Sequence, residues 1–351
     1  MKKNWWKILG PLLVLYSFGM GLLTPLKTGI SDIRPQFISA GDTVKMEVTG
    51  YNSFYKAAEG QLRAWLKLDQ EHALAAQAIE VKDDRHLVLH FVLPPHLPQD
   101  ADQADASLLI DSPVDGAHVY PGGIRISQKK TNVAPGSGAA WNAPIEKLHE
   151  KDAITFPFRN ILGETIRNTY YHVPMWFAMF LLFIGALVHS INFLRRKDLK
   201  NDRWAAALTT TGLVFGAMGL ATGAMWATYT WGEPWSGDVK QNMTAIGLLI
   251  YGAYFVLRFA IEDPERKARI SAVYNIFAFS TLIPLLYVIP KLTDSLHPGA
   301  GGNIAFGSED LDNTMRLVFY PAIIGWTLIG LWASQLLYRM NTLREKLLWG
   351  H

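Results

Sequence analysis

The chain has 351 residues, half of them hydrophobic, and a formal net charge of +3 with no basic stripe, so a nucleic-acid footprint is excluded. It has no cysteine, which excludes disulfides, thiolate metal sites, a catalytic thiol and any Cys-x-x-Cys-His motif. Polar residues concentrate between 30 and 150 and long apolar stretches between 170 and 340, so one part reads as soluble and the other as lipid-embedded.

In chain order, residues 5 to 24 form a first apolar stretch of about the ~20 residues that a helix needs to cross a bilayer. Lys2, Lys3 and the run to Leu23 imitate a signal peptide, but no Ala-x-Ala site follows, so residues 1 to 28 are expected to be an uncleaved anchor. Within an expected domain from 29 to 130, the pattern alternates from Asp42 to about Ser127: Val44, Met46 and Val48, then Leu62, Ala64, Leu66 and Leu68, then a dense run from Leu87 to Leu93. Period two predicts strands, and Asp83-Asp84, Pro94-Pro95, Asp115-Gly116 and Gly122-Gly123 read as turns between them, giving a small immunoglobulin-like or similar sandwich. His72, His86, His90, His96 and His118 lie here and are expected to be solvated; a metal site on His86 and His90 would need further ligands.

Residues 131 to 168 read as a flexible linker around 132–138 followed by a partly helical, interfacial segment. Five more spans follow in a membrane domain from 169 to 340: about 170–194, 204–228, 243–261, 270–290 and 316–338, with 341–351 as a tail. Gly212, Gly216, Gly219 and Gly223 in the third span permit close helix approach and are read as generic packing. The expected fold is a membrane all-α six-helix bundle with an inserted extracytoplasmic β-sandwich domain.

Basic residues set the orientation, because positive loops stay in the cytoplasm. Lys2, Lys3 and Lys7, then Arg195, Arg196, Lys197, Lys200 and Arg203, then Arg266, Lys267 and Arg269, then Arg339, Arg344 and Lys346 fall on one side. The alternate loops hold only Lys240, and Lys291 with Arg316. Both termini are therefore expected inside and residues 25 to 169 outside.

This topology gathers three segments at the outer surface: Arg167 to Trp176 with Tyr170, Tyr171, His172 and Pro174; the loop Trp231-Gly-Glu-Pro-Trp235-Ser-Gly-Asp238 with Trp226 before it; and Asp294, His297, Pro298, Gly299, Gly301 and Gly302. Haem is a flat apolar macrocycle with two carboxylates, and its iron takes imidazole nitrogen. His172 and His297 are candidate axial ligands, Trp231 and Trp235 candidate cover, and Arg167, Lys240, Lys291 or Arg316 candidate partners for the propionates. Trp5, Trp6, Trp176, Trp204 and Trp332 are assigned to interfacial belts, and His189, toward the cytoplasmic end of its span, receives no role.

These segments resemble the haem-handling membrane proteins of cytochrome c biogenesis, most closely the haem exporter protein C family (CcmC), related to CcsA-type proteins. The resemblance lies in Arg167, Tyr171-His172-Val173-Pro174, Thr222-Gly223, Trp226, Trp231-Gly232, Trp235, Asp238, Thr244 and Leu296-His297. It covers residues 160 to 340 and implies six spans with both termini in the cytoplasm. It further implies His172 and His297 as axial ligands of a non-covalent, transient haem b, with Trp231, Gly232, Trp235 and Asp238 as what remains of the tryptophan-rich haem motif and Trp226 and Arg167 as further haem-binding residues. Pro234 and Gly237 stand where that motif, close to W-G-x-W-W-x-W-D, has two further tryptophans. The implied activity is binding and handover, not catalysis, on the bacterial inner membrane. The implied partners are a CcmE-like periplasmic haem chaperone, a CcmA/CcmB-like ATP-binding cassette complex, a small CcmD-like subunit and membrane lipid. No Gly-x-x-x-x-Gly-Lys-Ser/Thr sequence is present, so ATP chemistry falls to the partners. The competing readings are a haem lyase, an electron carrier of the cytochrome b kind, and a receptor or transporter whose β domain captures a ligand.

Overall fold

The computed structural model describes residues 4–98, 101–129, 141–151, 153–297 and 311–349. The expected linker at 132–138, like Lys2 and Lys3, lies outside the described residues. The chain forms two compact units, Met1–Thr24 with Thr165–His351, and Pro25–Glu164.

Among the described residues, the second unit holds nine strands: β1 (Gly29–Arg34), β2 (Phe37–Ser39), β3 (Thr43–Tyr51), β4 (Arg63–Lys67), β5 (Ala73–Ala75), β6 (Ala78–Val81), β7 (His86–Val92), β8 (Gln103–Ser112) and β9 (Gly116–Ser127). They make one sheet in the order β1-β3-β7-β6 and another in the order β2-β9-β8-β4-β5. Because strand side chains alternate between faces, Val44, Met46 and Val48 of β3 and Leu87, Leu89 and Phe91 of β7 point to one side, paired antiparallel. They meet Ala64 and Leu66 of β4, Leu108 and Ile110 of β8 and Ile124 and Ile126 of β9 in one shared core. Each such aliphatic or aromatic side chain contributes about 1.5–3 kcal/mol on burial.

Two sequence expectations need correction here. Gly122-Gly123 is no turn but a bulge inside β9, where the register with β8 slips between Ala106 and Leu108. Gly122 has φ +57°, and a Cβ on Gly123 would fall 1.9 Å from the Tyr120 ring, so the kink requires glycine. His118 is buried instead of solvated; its Nε2 lies 3.0 Å from the Tyr55 hydroxyl and its Nδ1 3.1 Å from the Gly116 carbonyl. Burial lowers the pKa of this imidazole. His72, His86 and His90 are paired with Asp69, Asp83 and Glu80.

Within the segment expected to be a partly helical approach to the second span, Gly163–Tyr170 forms a 3-10 helix, and the residues before it pair with the sandwich at several points. Trp141 is buried in the β core with its indole N–H on the His96 carbonyl, and Asn142 bridges to Ala73. Asp111, its carboxylate wholly buried, accepts the His149 amide at 2.7 Å and the Arg63 guanidinium, whose Nη1 and Nη2 also hold the carbonyls of Glu146 and Lys147. Phe156, also fully buried, bridges in parallel to Leu26, so the first and last segments of the unit lie side by side.

The other unit contains α1 (Trp6–Leu23), α2 (His172–Arg196), α3 (Leu199–Trp231), α4 (Val239–Ala260), α5 (Pro264–Ile283), the short α6 (Ile289–Leu292) and α7 (Asn313–Trp349). A single π-helical turn over Pro284–Val288 joins α5 to α6, so the fifth apolar segment runs from Pro264 to Leu292. Six helical segments are thus long and apolar enough to cross a membrane, and the chain is a multi-pass membrane protein with an inserted two-sheet β unit. Aspartates start the helices: Asp198, Asp238 and Asp263 each accept an amide from the first turn of α3, α4 and α5.

Helix α2 is central. Met175, Ala178, Met179, Leu182, Phe183 and Ala186 recur on one helical face and are buried together with Phe215, Tyr251, Phe279 and Leu282. Two polar pairings lie inside the bundle: Arg258 holds Asp202 in a two-pronged pair at 2.6 and 2.9 Å, and the Asn275 amide nitrogen donates to Ser190 and Thr209.

Asp111 yields a pH prediction. Burial raises its pKa, but the hydrogen bonds from the His149 amide and Arg63 outweigh it and hold the carboxyl below its usual 3.8. A depressed folded-state value gives stability that is present above 3.8 and lost as pH falls through the lower folded value. Amide exchange across residues 146–149, corrected for intrinsic rate, should therefore stay slow down to that range and accelerate below it, and Arg63→Ala should move the onset to higher pH.

Candidate functional site

The site is built from the first turn of α2, the last turns of α3, the α3–α4 loop and the segment after α6. A 3-10 turn over Gly163–Tyr170 leads into α2, which begins at His172 with Pro174 in its first turn, where proline's missing N–H costs nothing. Arg167 lies in that 3-10 turn, and its Nη1 donates to the carbonyls of Gly21 and Thr24 at 2.8 and 2.6 Å. Its guanidinium thus ties the end of α1 to the approach to α2.

Helices α2 and α3 run antiparallel with a matched spacing. Cβ atoms added at Gly212, Gly216, Gly219 and Gly223 would lie 2.5, 3.0, 2.7 and 2.8 Å from Phe183, Met179, Trp176 and His172 respectively. Each glycine thus admits an α2 side chain, Gly216 admitting Leu248 of α4 even more closely at 2.5 Å, and the last notch takes the imidazole of His172. Around that ring, Nδ1 lies 3.1 Å from Thr222 Oγ1, and the Trp176 indole N–H donates to Nε2 at 3.1 Å. Thr222 is one residue before the notch, and Trp176 is one helical turn after His172, so both partners follow from helix geometry.

Helix α3 ends at Trp231 with Gly232 in the left-handed region. The loop closes on Asp238, whose Oδ1 accepts the Lys240 amide at 2.8 Å while Oδ2 accepts the Ser295 hydroxyl at 2.8 Å and the Leu296 amide at 3.0 Å. The Ser295 hydroxyl in turn accepts the His297 amide at 3.1 Å. One buried carboxylate thus binds the tryptophan loop to the segment that carries His297. The His297 ring lies 5.9 Å from Trp226, 6.4 Å from Trp231 and 6.4 Å from His172, tilted 43° to the latter.

The structure therefore brings together His172, His297, Trp226, Trp231 and Asp238. Trp235 sits apart, 41% exposed with its indole N–H on Asn242 Oδ1. Gly237 has φ +74°, a conformation in which a tryptophan would be strained. Arg316 donates to Asn313 on its own helix. Pro298, Gly299, Gly301 and Gly302 lie outside the described residues. Sequence reasoning missed Trp176, assigned to a belt, and Ser295; the i, i+4 spacing from His172 was the available signal for the first. The glycine row, read as generic packing, is specific at its last position. His189, left without a role, stacks on Trp204 at 5.8 Å, and Trp204 on Tyr338 at 4.5 Å.

The family described as "CcmC: Heme exporter protein C" matches residues 154–348. Among individual proteins, the "Heme exporter protein C" of Paracoccus denitrificans (strain Pd 1222) is 28% identical over 180 residues, 51% of this chain and 73% of that protein. The "Heme exporter protein C" of Bradyrhizobium diazoefficiens is 26% identical over 185 residues, 52% of this chain and 69% of that protein. "Cytochrome c biogenesis protein CcsA" of Prochlorococcus marinus (strain MIT 9303) is 34% identical over 92 residues, 26% of this chain and 28% of that protein.

Asp238→Ala should remove a helix cap and the part-buried hydrogen bonds from the Ser295 hydroxyl and the Leu296 amide, destabilising the site by about 1–3 kcal/mol. Amide exchange at Leu296 and His297 should rise more than anywhere in α2; equal protection in variant and parent would show that the carboxylate does not hold this segment.

Proposed function

The chain belongs to the heme exporter protein C family, and we propose that it binds haem at the outer face of the cytoplasmic membrane and passes it to a periplasmic haem chaperone. A role for this membrane protein in haem handling for cytochrome c maturation follows from the family and its relatives.

The observation that carries the finer reading is the pairing of His172 with His297. Two imidazoles sharing one metal ion, with nitrogen–metal bonds of about 2 Å, stand with ring centroids roughly 6 Å apart. The separation here is 6.4 Å. The donor set also fits the cargo: neutral imidazoles for the iron, and the indoles of Trp226 and Trp231 as apolar area beside the macrocycle. His172 and His297 would hold the iron, and Asp238 would position His297. The exposed position of Trp235 and the loss of two tryptophans at Pro234 and Gly237 leave an open edge, which suits cargo that must leave.

Orientation rests on the asymmetry of basic residues, which favours cytoplasmic termini and sets this end of the helices and residues 25–164 on the outer side. A CcmE-like chaperone would meet the site there, while CcmA/CcmB-like and CcmD-like subunits would supply ATP chemistry. The CcsA similarity over 92 residues supports a second reading, haem attachment to apocytochrome c, which would require a chemical step beyond binding.

Purified protein titrated with haem should give the spectrum of a low-spin, bis-imidazole iron. His172→Ala and His297→Ala should each abolish that spectrum and weaken binding by more than about tenfold, the loss that removing even an outer partner of a metal ligand produces. An unchanged low-spin spectrum in both variants rejects the ligand pair, and wild-type protein that takes up no haem rejects the function.

A further inference from the structure

Trp176 bears on how the cargo leaves. An indole nitrogen is a donor only, so the Nε2 that receives the Trp176 N–H at 3.1 Å carries a lone pair and no proton. His172 is thus neutral, with its proton on Nδ1, directed at Thr222 Oγ1. The Thr222 hydroxyl donates to the carbonyls of Met218 and Gly219, which leaves its oxygen lone pairs to accept that proton. Thr222 therefore holds the tautomer in which Nε2 is the metal-binding nitrogen, and Trp176 occupies that same nitrogen.

We propose that Trp176 is an internal competitor for the cargo: its N–H and the haem iron take the same lone pair of His172, so Trp176 lowers haem affinity and favours release. This rests on the reading of His172 as a ligand. Iron binding at Nε2 displaces the indole N–H and leaves a polar group without its partner in a site packed against Gly219. Release lets the N–H return, so the empty site is stabilised by a bond that the filled site lacks. No covalent bond, proton or electron changes hands in the exchange beyond the coordination bond itself. Trp176 acts through His172 and is a positioning residue.

The test compares equilibrium haem titrations of wild type, Trp176→Phe and His172→Ala. It adds a protein with benzothienylalanine in place of Trp176, which keeps the indole shape without the N–H. Trp176→Phe and the benzothienyl protein should bind haem about 2- to 12-fold more tightly than wild type, the range expected for one hydrogen bond. If Trp176→Phe is poorly folded, a tighter benzothienyl protein still supports competition. Equal or weaker binding by the benzothienyl protein overturns it, even where His172→Ala shows that His172 is a ligand. Wild-type affinity retained in His172→Ala overturns the ligand reading and the competition together. In the haem-free protein, hydrogen exchange of the Trp176 indole N–H should accelerate in His172→Ala; an unchanged rate counts against the bond on which the competition depends.

Discussion

The close approach of α2 and α3 is the constraint on which the site depends. Inside a bilayer no hydrophobic gain draws two helices together, so packing must do it. Here the four glycines of α3, spaced four, three and four residues apart, face Phe183, Met179, Trp176 and His172, spaced four, three and four in the opposite direction. The match fixes one register. A slip of one step would lift the imidazole out of its notch and part it from Thr222.

A second device fixes the other half of the site. His297 belongs to no long helix, and its segment is held by a network of hydrogen bonds through Ser295 and Asp238, with its ring beside Trp226 and Trp231. Asp238 caps α4 with one oxygen and gathers Ser295 and Leu296 with the other, so one carboxylate serves as both helix start and loop anchor. The two imidazoles thus meet through unlike physics: one is wedged between backbones, and the other is suspended from a carboxylate. The first is fixed by the register of two helices, and the second by the hydrogen bonds of one side chain.

Much of this was legible in the sequence, and the exceptions share a cause. The six apolar segments and the period-two strands are local patterns, and the structure has both. His172, His297 and the tryptophan loop came together from topology alone, since alternate helix ends must lie at one depth. The misses involve partners distant in sequence. Residues 141–156 follow the sandwich because Arg63, Ala73 and Asp111, far upstream, supply their partners, and no periodicity within the segment encodes that. His118 is buried because Tyr55 supplies its hydrogen bond, and Gly122-Gly123 looked like a turn because the same dipeptide serves turns and bulges alike. Trp176 is the local exception to that cause: composition assigns it to a belt, while its four-residue distance from His172 along one helix carries the information.

The β unit begins and ends at the same place. Leu26 bridges to Phe156, which puts the two chain segments about 4.8 Å apart, and within the helical unit Arg167 binds the end of α1 to the approach to α2. Both units close their own ends, so well over one hundred residues are accommodated where a few would suffice, and neither helix has to shift to admit them. Each closure is made by residues of its own unit, so the integrity of one end does not call on side chains of the other unit.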